Sequence, residues 1–166
     1  SDSNVENYIA DMTQQLGVEV SRAESLEQLV TDSQVVVTTT QSKDALIQVQ
    51  WLHPGLHITA MGADLPGKQE LQPAVLAKSD LVVCDSRAQC SIGGELQHAI
   101  ADENLTEIGN VVELGQVTSG QLPGRTSESQ VTVADLTGTG VQDTAIALEA
   151  YRKALQQNMG TAVEGR

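Results

Sequence analysis

Apolar residues recur at helical spacing at both ends of the chain. Near the N-terminus, four of them precede Gly17, at Val5, Ile9, Met12 and Leu16. This spacing predicts an amphipathic helix that begins at a capping box of Ser3 and Glu6. Thr139 and Gln142 have the same capping spacing ahead of a second apolar stripe. They predict a long final helix with four residues facing inward, at Val141, Ala145, Leu148 and Leu155.

Short runs of β-branched and aliphatic residues lie between these two helices. They predict five strands, over residues 18–21, 35–39, 56–61, 80–85 and 131–135. The intervening patterns predict short helices, including one capped by Ser25 and Gln28, one opened by Pro73, and one over residues 111–117. Strands that alternate with helices form parallel βαβ units. The sequence therefore predicts an α/β fold with a mostly parallel sheet and flanking helices.

Three polar loops follow predicted strands, over residues 38–42, 61–68 and 136–140. In parallel sheets these loops converge at the carboxyl ends of the strands, where ligands bind. Asp64 lies in the second loop ahead of Pro66 and Gly67, so its carboxylate should lie at this ligand-binding edge. The alternative is turn chemistry, which is the commoner role of Asp before Pro-Gly.

The other two loops carry hydroxyl and glycine residues. Thr38, Thr39 and Thr40 could contact a ribose or simply finish a strand. The run Thr137-Gly138-Thr139-Gly140, between a predicted strand and a predicted helix, could offer backbone N–H groups to a phosphate or a carboxamide, or form a tight turn. Each signal is weak alone, and their shared edge is what makes them candidates.

Composition and charge narrow the class of protein. The 166 residues include 22 acidic and 9 basic side chains, for a net charge of -13, which argues against binding to nucleic acid or an anionic membrane. We find neither a membrane-spanning apolar run nor a signal-peptide pattern, and expect a cytoplasmic protein. We expect one domain over residues 1–159 and a disordered tail over 160–166. Cys84 and Cys90 match no disulfide or metal framework, so two reduced thiols are expected.

The histidines do not form a recognisable metal motif. His53 and His57 have the spacing of a helical zinc pair, but Pro54 interrupts any helix between them. Glu95 and His98 have Glu-x-x-His spacing, yet a di-iron site needs a second copy and further carboxylates. The spacing therefore predicts no metal site.

Several longer runs are similar to one known family. They include Met61-Gly-Ala-Asp64 and Leu136-Thr-Gly-Thr-Gly140, within the segments 35–42, 51–64, 67–71, 84–90, 94–99, 113–115, 123–125 and 135–147. Through these segments the chain resembles the ornithine cyclodeaminase/μ-crystallin family, most closely its ectoine-utilisation cyclodeaminase branch. The resemblance covers nearly the whole chain.

The resemblance implies a Rossmann-like domain that binds NAD. In this family an amino-acid amine is oxidised to an imine, and μ-crystallin-like relatives reduce ketimines. The resemblance implies that Asp64 assists the water or ring-closure step as the catalytic residue. It also implies that Thr38, Thr39 and Thr40 lie along the cofactor ribose and that Thr137 and Gly138 lie near the nicotinamide.

The chain also departs from the family pattern. The half that precedes this region in family members is missing from the sequence, together with the first two strands and the Gly-rich phosphate turn. This implies the C-terminal half of a cyclodeaminase with an incomplete Rossmann-like sheet, weak or no NAD binding, and little activity alone. The alternative is a non-enzymatic module that binds a small ligand or assembles.

The missing strands leave an unpaired edge in the predicted sheet. Either the strands at residues 18–21 and 35–39 pair directly, or two copies associate through the edge. We therefore expect a homo-oligomer, with a small-molecule ligand as a possible second partner.

Overall fold

The computed structural model describes residues 2–161, so residues 162–166 of the predicted tail lie outside the described residues. The described chain contains five strands and seven α-helices. The strands are β1 (Val35–Thr38), β2 (His57–Ala60), β3 (Leu81–Cys84), β4 (Val111–Glu113) and β5 (Thr132–Asp135). The helices are α1 (Asp2–Leu16), α2 (Leu26–Thr31), α3 (Pro73–Lys78), α4 (Arg87–Gly93), α5 (Leu96–Ala101), α6 (Leu114–Thr118) and α7 (Gly140–Gln156). A 3₁₀ helix spans Val49–Trp51.

The five strands form one parallel sheet in the order β1-β2-β5-β3-β4. One row across the sheet, Val36, Ile58, Val133 and Val82, faces a core that α2, α3, α4 and α5 complete with buried side chains. This confirms the predicted α/β class, with an incomplete Rossmann-like sheet. None of the helices in residues 2–161 has the length and apolar character that crossing a membrane requires.

The opposite face of the sheet is covered at one end only. There Arg125 donates hydrogen bonds to the carbonyls of Gly55 and Leu56 and to Thr132 Oγ1. Arg125 and Thr132 also line an open, mostly apolar groove of about 420 Å³ on this face, which extends to Val35. On β1, Val35 and Val37 are 61% and 58% exposed. β1 is also an edge strand, so both its outer backbone edge and one face are uncovered by the described residues.

The strand predicted over residues 18–21 is wrong, because that segment has no regular secondary structure. A strand needs a neighbour with which to form a hydrogen-bonded ladder, and β1 pairs only with β2. The predicted direct pairing of residues 18–21 with 35–39 is therefore also wrong. The first helix is present, but it begins at Asp2, so Ser3 lies inside the helix rather than at its cap.

The helix predicted over residues 111–117 is correct in its second half alone. Val111 and Val112 instead pair with β3, as part of the short edge strand β4. α6 then begins from a capping box of Glu113 and Gln116. Pairing with β3 outweighs the helical pattern because β-branched residues suit a strand.

The final helix is present with its predicted capping box, but its predicted inward face is wrong. α7 buries no residue, and its large apolar side chains are exposed, at Val141, Ile146, Leu148, Tyr151 and Leu155. The amphipathic pattern is real, but no described element packs against it. The local sequence therefore determines where α7 begins and how it is capped. Burial of its apolar face would require another element to pack against it.

Three buried carboxylates connect the strand ends to the rest of the fold. We call Asp135, Glu95 and Glu70 the carboxylate chain. The two oxygens of Asp135 accept the backbone N–H groups of Glu95 and Leu96 at 3.0 and 2.9 Å, where α5 begins. Those of Glu95 accept the N–H groups of Glu70 and Leu71 at 2.7 and 3.0 Å.

Glu70 completes the carboxylate chain at the carboxyl ends of β1 and β2. It accepts the N–H of Thr40 with one oxygen and the N–H of Gly62, at 2.8 Å, with the other. A Cβ at Gly62 would collide with Thr40 O and the Glu70 carboxylate, so the close approach of the two loops requires glycine here. The chain of carboxylates thereby fixes the distance between these loops.

Burial of the carboxylate chain shifts the pKa values of two of its members. It raises the pKa of Glu95 to about 8 and that of Asp135 to about 6, although the backbone N–H groups partly oppose the shift. Negative charge on neighbouring carboxylates adds to the rise at both residues. No side chain among residues 2–161 forms a salt bridge with the carboxylate chain.

The raised pKa of Glu95 predicts that stability falls as pH rises. Between the ordinary pKa of 4.5 and the folded value of about 8, the folded chain binds more protons than the unfolded chain. The free energy of unfolding should therefore decrease by a few kcal/mol between about pH 5 and 8. Urea unfolding at intervals across this range measures the slope.

Glu95→Gln removes this titration, so the variant should show a smaller slope even if it is less stable at every pH. Glu149→Gln, on the exposed α7, is the matched control and should keep the wild-type slope. Equal slopes for wild type and Glu95→Gln would contradict the prediction.

Candidate functional site

The three predicted loops all lie at the carboxyl edge of the sheet, after β1, β2 and β5. Glu70 joins the first two loops through Thr40 and Gly62. The third loop follows Asp135, whose carboxylate begins the carboxylate chain. The structure thus places the candidate residues on one edge, on loops that are connected by buried hydrogen bonds.

Asp64 is a surface residue of the second loop. Its side chain is 46% exposed, and Lys68 Nζ lies 2.6 Å from its Oδ1. The hydrogen bond from Lys68 lowers the pKa of Asp64, so the carboxylate is ionised at neutral pH. It can accept a proton from water or an amine at this edge.

The Asp64 loop is fixed from below by α4 and α5. His98 Nε2 lies 2.7 Å from the carbonyl oxygen of Lys68, and the N–H of Gly67 donates to Gln97 Oε1 at 3.3 Å. A Cβ at Gly93 would lie 3.3 Å from Asp64 O, so α4 passes close to the loop backbone. The exposed carboxylate therefore stands on a well-supported turn.

The three threonines of the first loop have different surroundings. Thr38 is buried. Its Oγ1 has no hydrogen-bond partner, which is true of no other buried side-chain oxygen or nitrogen among residues 2–161. Thr39 is exposed. Thr40 donates its N–H to Glu70 and accepts the N–H of Ser42 on its hydroxyl at 3.2 Å. Thr38 is thus the one with an unused hydroxyl, a feature that typically indicates a missing ligand, water or neighbouring segment.

Asp85 holds Thr137 and Gly138. Its Oδ1 accepts the Thr137 hydroxyl at 3.1 Å, and its Oδ2 accepts the Gly138 N–H at 2.6 Å. Gln89 Nε2 donates to the Gly138 carbonyl at 2.7 Å. Gly138 has a φ of 81°, which favours glycine in this turn. The N–H of Gly138 already donates to Asp85, so a ligand here could contact the turn but could not accept a hydrogen bond from this N–H.

Sequence reasoning missed Asp85 and the three members of the carboxylate chain. Asp85 directly follows β3 and Asp135 is the last residue of β5, and that position was an available signal. Glu70 and Glu95 give no such signal, because their partners are backbone N–H groups 8 to 30 residues away.

The two cysteines lie beside this edge. Cys84 ends β3, Cys90 lies in α4, and both are buried free thiols, as predicted. Hydrogen bonding with Cys84 and burial raise the pKa of Cys90, so its thiol stays protonated. Cys90 Sγ lies 3.4 Å from Asp85 Oδ1 and 3.3 Å from the backbone oxygen of Asp135.

Relatives of known sequence are longer than this chain. An uncharacterised cyclodeaminase of Sinorhizobium fredii is 43% identical over 145 residues, which is 87% of this chain and 44% of the relative. The chain thus spans about half the length of the curated relatives it matches.

Two solved structures have the same fold over the same region. An archaeal alanine dehydrogenase dimer with bound NAD superposes with a TM-score of 0.84 at 33% identity, covering 99% of this chain and 50% of that one. The iminosuccinate reductase of Paracoccus denitrificans in complex with NAD⁺ gives a TM-score of 0.84 at 38% identity, covering 94% and 47%. The chain is therefore similar to NAD-binding enzymes of amine and imine chemistry.

A family model describes almost all of the chain. The model of the ornithine cyclodeaminase/mu-crystallin family matches residues 1–158. Together with the identity to its relatives, this match is decisive: the chain belongs to the ornithine cyclodeaminase/mu-crystallin family.

Proposed function

We propose that this chain forms the nicotinamide-side half of the NAD site in an enzyme that interconverts amino acids and imines. The carrying observation is the set of strand-end loops that the carboxylate chain and Asp85 hold at one edge. In the proposal this chain is the C-terminal half of a cyclodeaminase-like protein, most similar to the ectoine-utilisation branch. The two NAD-bound relatives and the motif 61–64 support it.

The donor set fits part of the cofactor. The unused Thr38 hydroxyl could hydrogen-bond a ribose, with Thr39 and Thr40 beside it, and Thr137 and Gly138 could line the nicotinamide end. The described residues contain no Gly-x-Gly-x-x-Gly turn of the kind that holds the pyrophosphate in a dinucleotide-binding fold. In the proposal this chain alone therefore binds NAD weakly and has little activity.

Asp64 is the proposed proton acceptor. NAD, when bound, supplies hydride transfer, which leaves proton movement to the protein. The ionised Asp64 carboxylate can take a proton from the substrate amine or from water, and Lys68 keeps it ionised until then. The hydrogen bonds of His98 and Gln97 with the Asp64 loop would hold its carboxylate in a fixed position at the sheet edge.

A second candidate function is a non-enzymatic assembly module. It is favoured by the uncovered edge of β1, by exposed Val35 and Val37, and by the open groove beside them. In this proposal two copies of the chain associate as a homo-oligomer through the β1 edge, because an unpaired strand edge is a template for another strand.

The cofactor proposal predicts weak NAD binding that depends on Thr38. We expect a Kd of about 1 mM or weaker by calorimetry, and saturation-transfer NMR signals from the nicotinamide ribose rather than from the adenine. Thr38→Val should reduce these signals without lowering stability, since it removes a buried hydroxyl that has no described partner.

Thr126→Val, in the loop ahead of β5, is the matched control and should leave the NMR signals unchanged. Sub-micromolar NAD binding would contradict the incomplete site. Contacts from the adenine alone would contradict the nicotinamide-side assignment.

The proposed role of Asp64 predicts that Asp64→Asn hardly changes stability. An exposed ion pair contributes about 1 kcal/mol or less, so thermal unfolding should be nearly unchanged. Asp135→Asn is the contrasting variant, and it should lose several kcal/mol because an amide cannot accept both N–H groups that start α5. A comparable loss in both variants would make Asp64 a structural turn residue.

The assembly proposal predicts concentration-dependent dimers. Multi-angle light scattering of the wild type should show dimer formation as concentration rises, and Val37→Lys should shift the equilibrium to monomer, since charge on an edge strand opposes pairing. Val141→Lys, on the exposed α7, tests whether any added charge has this effect. A wild-type monomer throughout a wide concentration range would rule out edge pairing.

A further inference from the structure

The two thiols and Asp135 form a buried cluster that the proposed function does not use. One donor atom from each of Cys84, Cys90 and Asp135 lies within 4.8 Å of the other two. All three side chains are buried. No spacing motif could reveal this group, because Asp135 lies 45 residues beyond Cys90.

Rigid elements supply the three donors. Cys84 and Asp135 are direct neighbours in the register of β3 and β5, so both side chains leave the same face of the sheet. Cys90 lies in α4, above this pair, with its Sγ 3.3 Å from the backbone oxygen of Asp135. The cluster is therefore a converging set from two strands and one helix.

The spacing is close to that of a tetrahedral site. Zinc binds sulfur at about 2.3 Å and carboxylate oxygen at about 2.0–2.2 Å, which places tetrahedral ligand atoms roughly 3.5–3.8 Å apart. Donor atoms within 4.8 Å need to approach by about 1 Å at most to reach that geometry.

The electrostatic surroundings also favour a cation. Asp135 forms no ion pair among residues 2–161, and Asp85 Oδ1 lies 3.4 Å from Cys90 Sγ. Each oxygen of Asp135 accepts one N–H, so a lone pair remains on each for a metal ion. Buried negative charge of this kind is stabilised by a bound cation.

We propose that Cys84, Cys90 and Asp135 bind one thiophilic divalent cation of the zinc class. Binding forms two metal–sulfur bonds and one metal–oxygen bond, and the two thiol protons pass to solvent. The fourth position takes water or the hydroxyl of Thr137, which lies 3.9 Å from Cys90 Sγ. The site would lock the ends of β3 and β5 to α4, and it stands independently of the proposed enzymatic role.

Cobalt(II) titration of the reduced, chelator-treated full chain tests the site. We expect one equivalent of Co²⁺ to bind with the intense sulfur-to-cobalt absorption of a bis-thiolate tetrahedral centre, and Zn²⁺ to displace it. Zn²⁺ should also raise the melting temperature of the wild type, because a metal that binds the folded state alone stabilises it. Absence of the thiolate absorption in the wild type overturns the proposal, and this measurement requires no variant.

Variants then assign the ligands. Cys84→Ser and Cys90→Ser should each abolish the sulfur-to-cobalt absorption or reduce it to that of one thiolate, and Asp135→Asn should weaken Co²⁺ binding by about tenfold or more. Circular dichroism reports whether each variant folds. Glu149→Gln, on α7, is the matched control and should bind like the wild type. Cobalt bound without thiolate absorption, or unaffected by all three substitutions, identifies an adventitious surface site and overturns the proposal.

Discussion

The structure depends on buried carboxylates that accept backbone N–H groups at the start of α5 and in the strand-end loops. Asp135, Glu95 and Glu70 each accept two backbone N–H groups, at the start of α5 and in the segments beside the strand ends. Buried N–H groups without acceptors cost free energy, and a two-oxygen acceptor satisfies a pair of them at once. The cost is a set of buried carboxyl groups whose ionised forms burial disfavours, so that the pKa values of Glu95 and Asp135 rise.

This constraint is also what gives the candidate site its shape. Glu70 holds the loops after β1 and β2 at one separation, and Asp85 holds the turn after β5. Asp64, by contrast, is exposed and free to meet a ligand. The division is typical of binding sites, with rigid buried supports beneath an accessible reactive group.

The sequence predicts the parts of this fold that depend on local chemistry. Capping residues such as Ser25 and Thr139, and β-branched runs such as residues 35–37, identify helices and strands correctly. The strand predicted over residues 18–21 is wrong because no neighbouring strand pairs with that segment. The helix predicted from residue 111 is wrong over residues 111–113 because β3 pairs with that segment and makes it a strand. The edge that carries Asp64 follows from strand polarity. Glu70 and Glu95 could not be found, since their partners are distant backbone amides without any sequence signature.

The strand order has a consequence for how the chain folds. β5 is the last strand in the sequence, yet it lies in the middle of the sheet, between β2 and β3. Until residues 132–135 arrive, β1-β2 and β3-β4 are two separate pairs with unfilled edges. Sheets dominated by such distant pairings fold slowly. On a ribosome this core would close only after residues 132–135 had been synthesised, because β5 joins the two pairs.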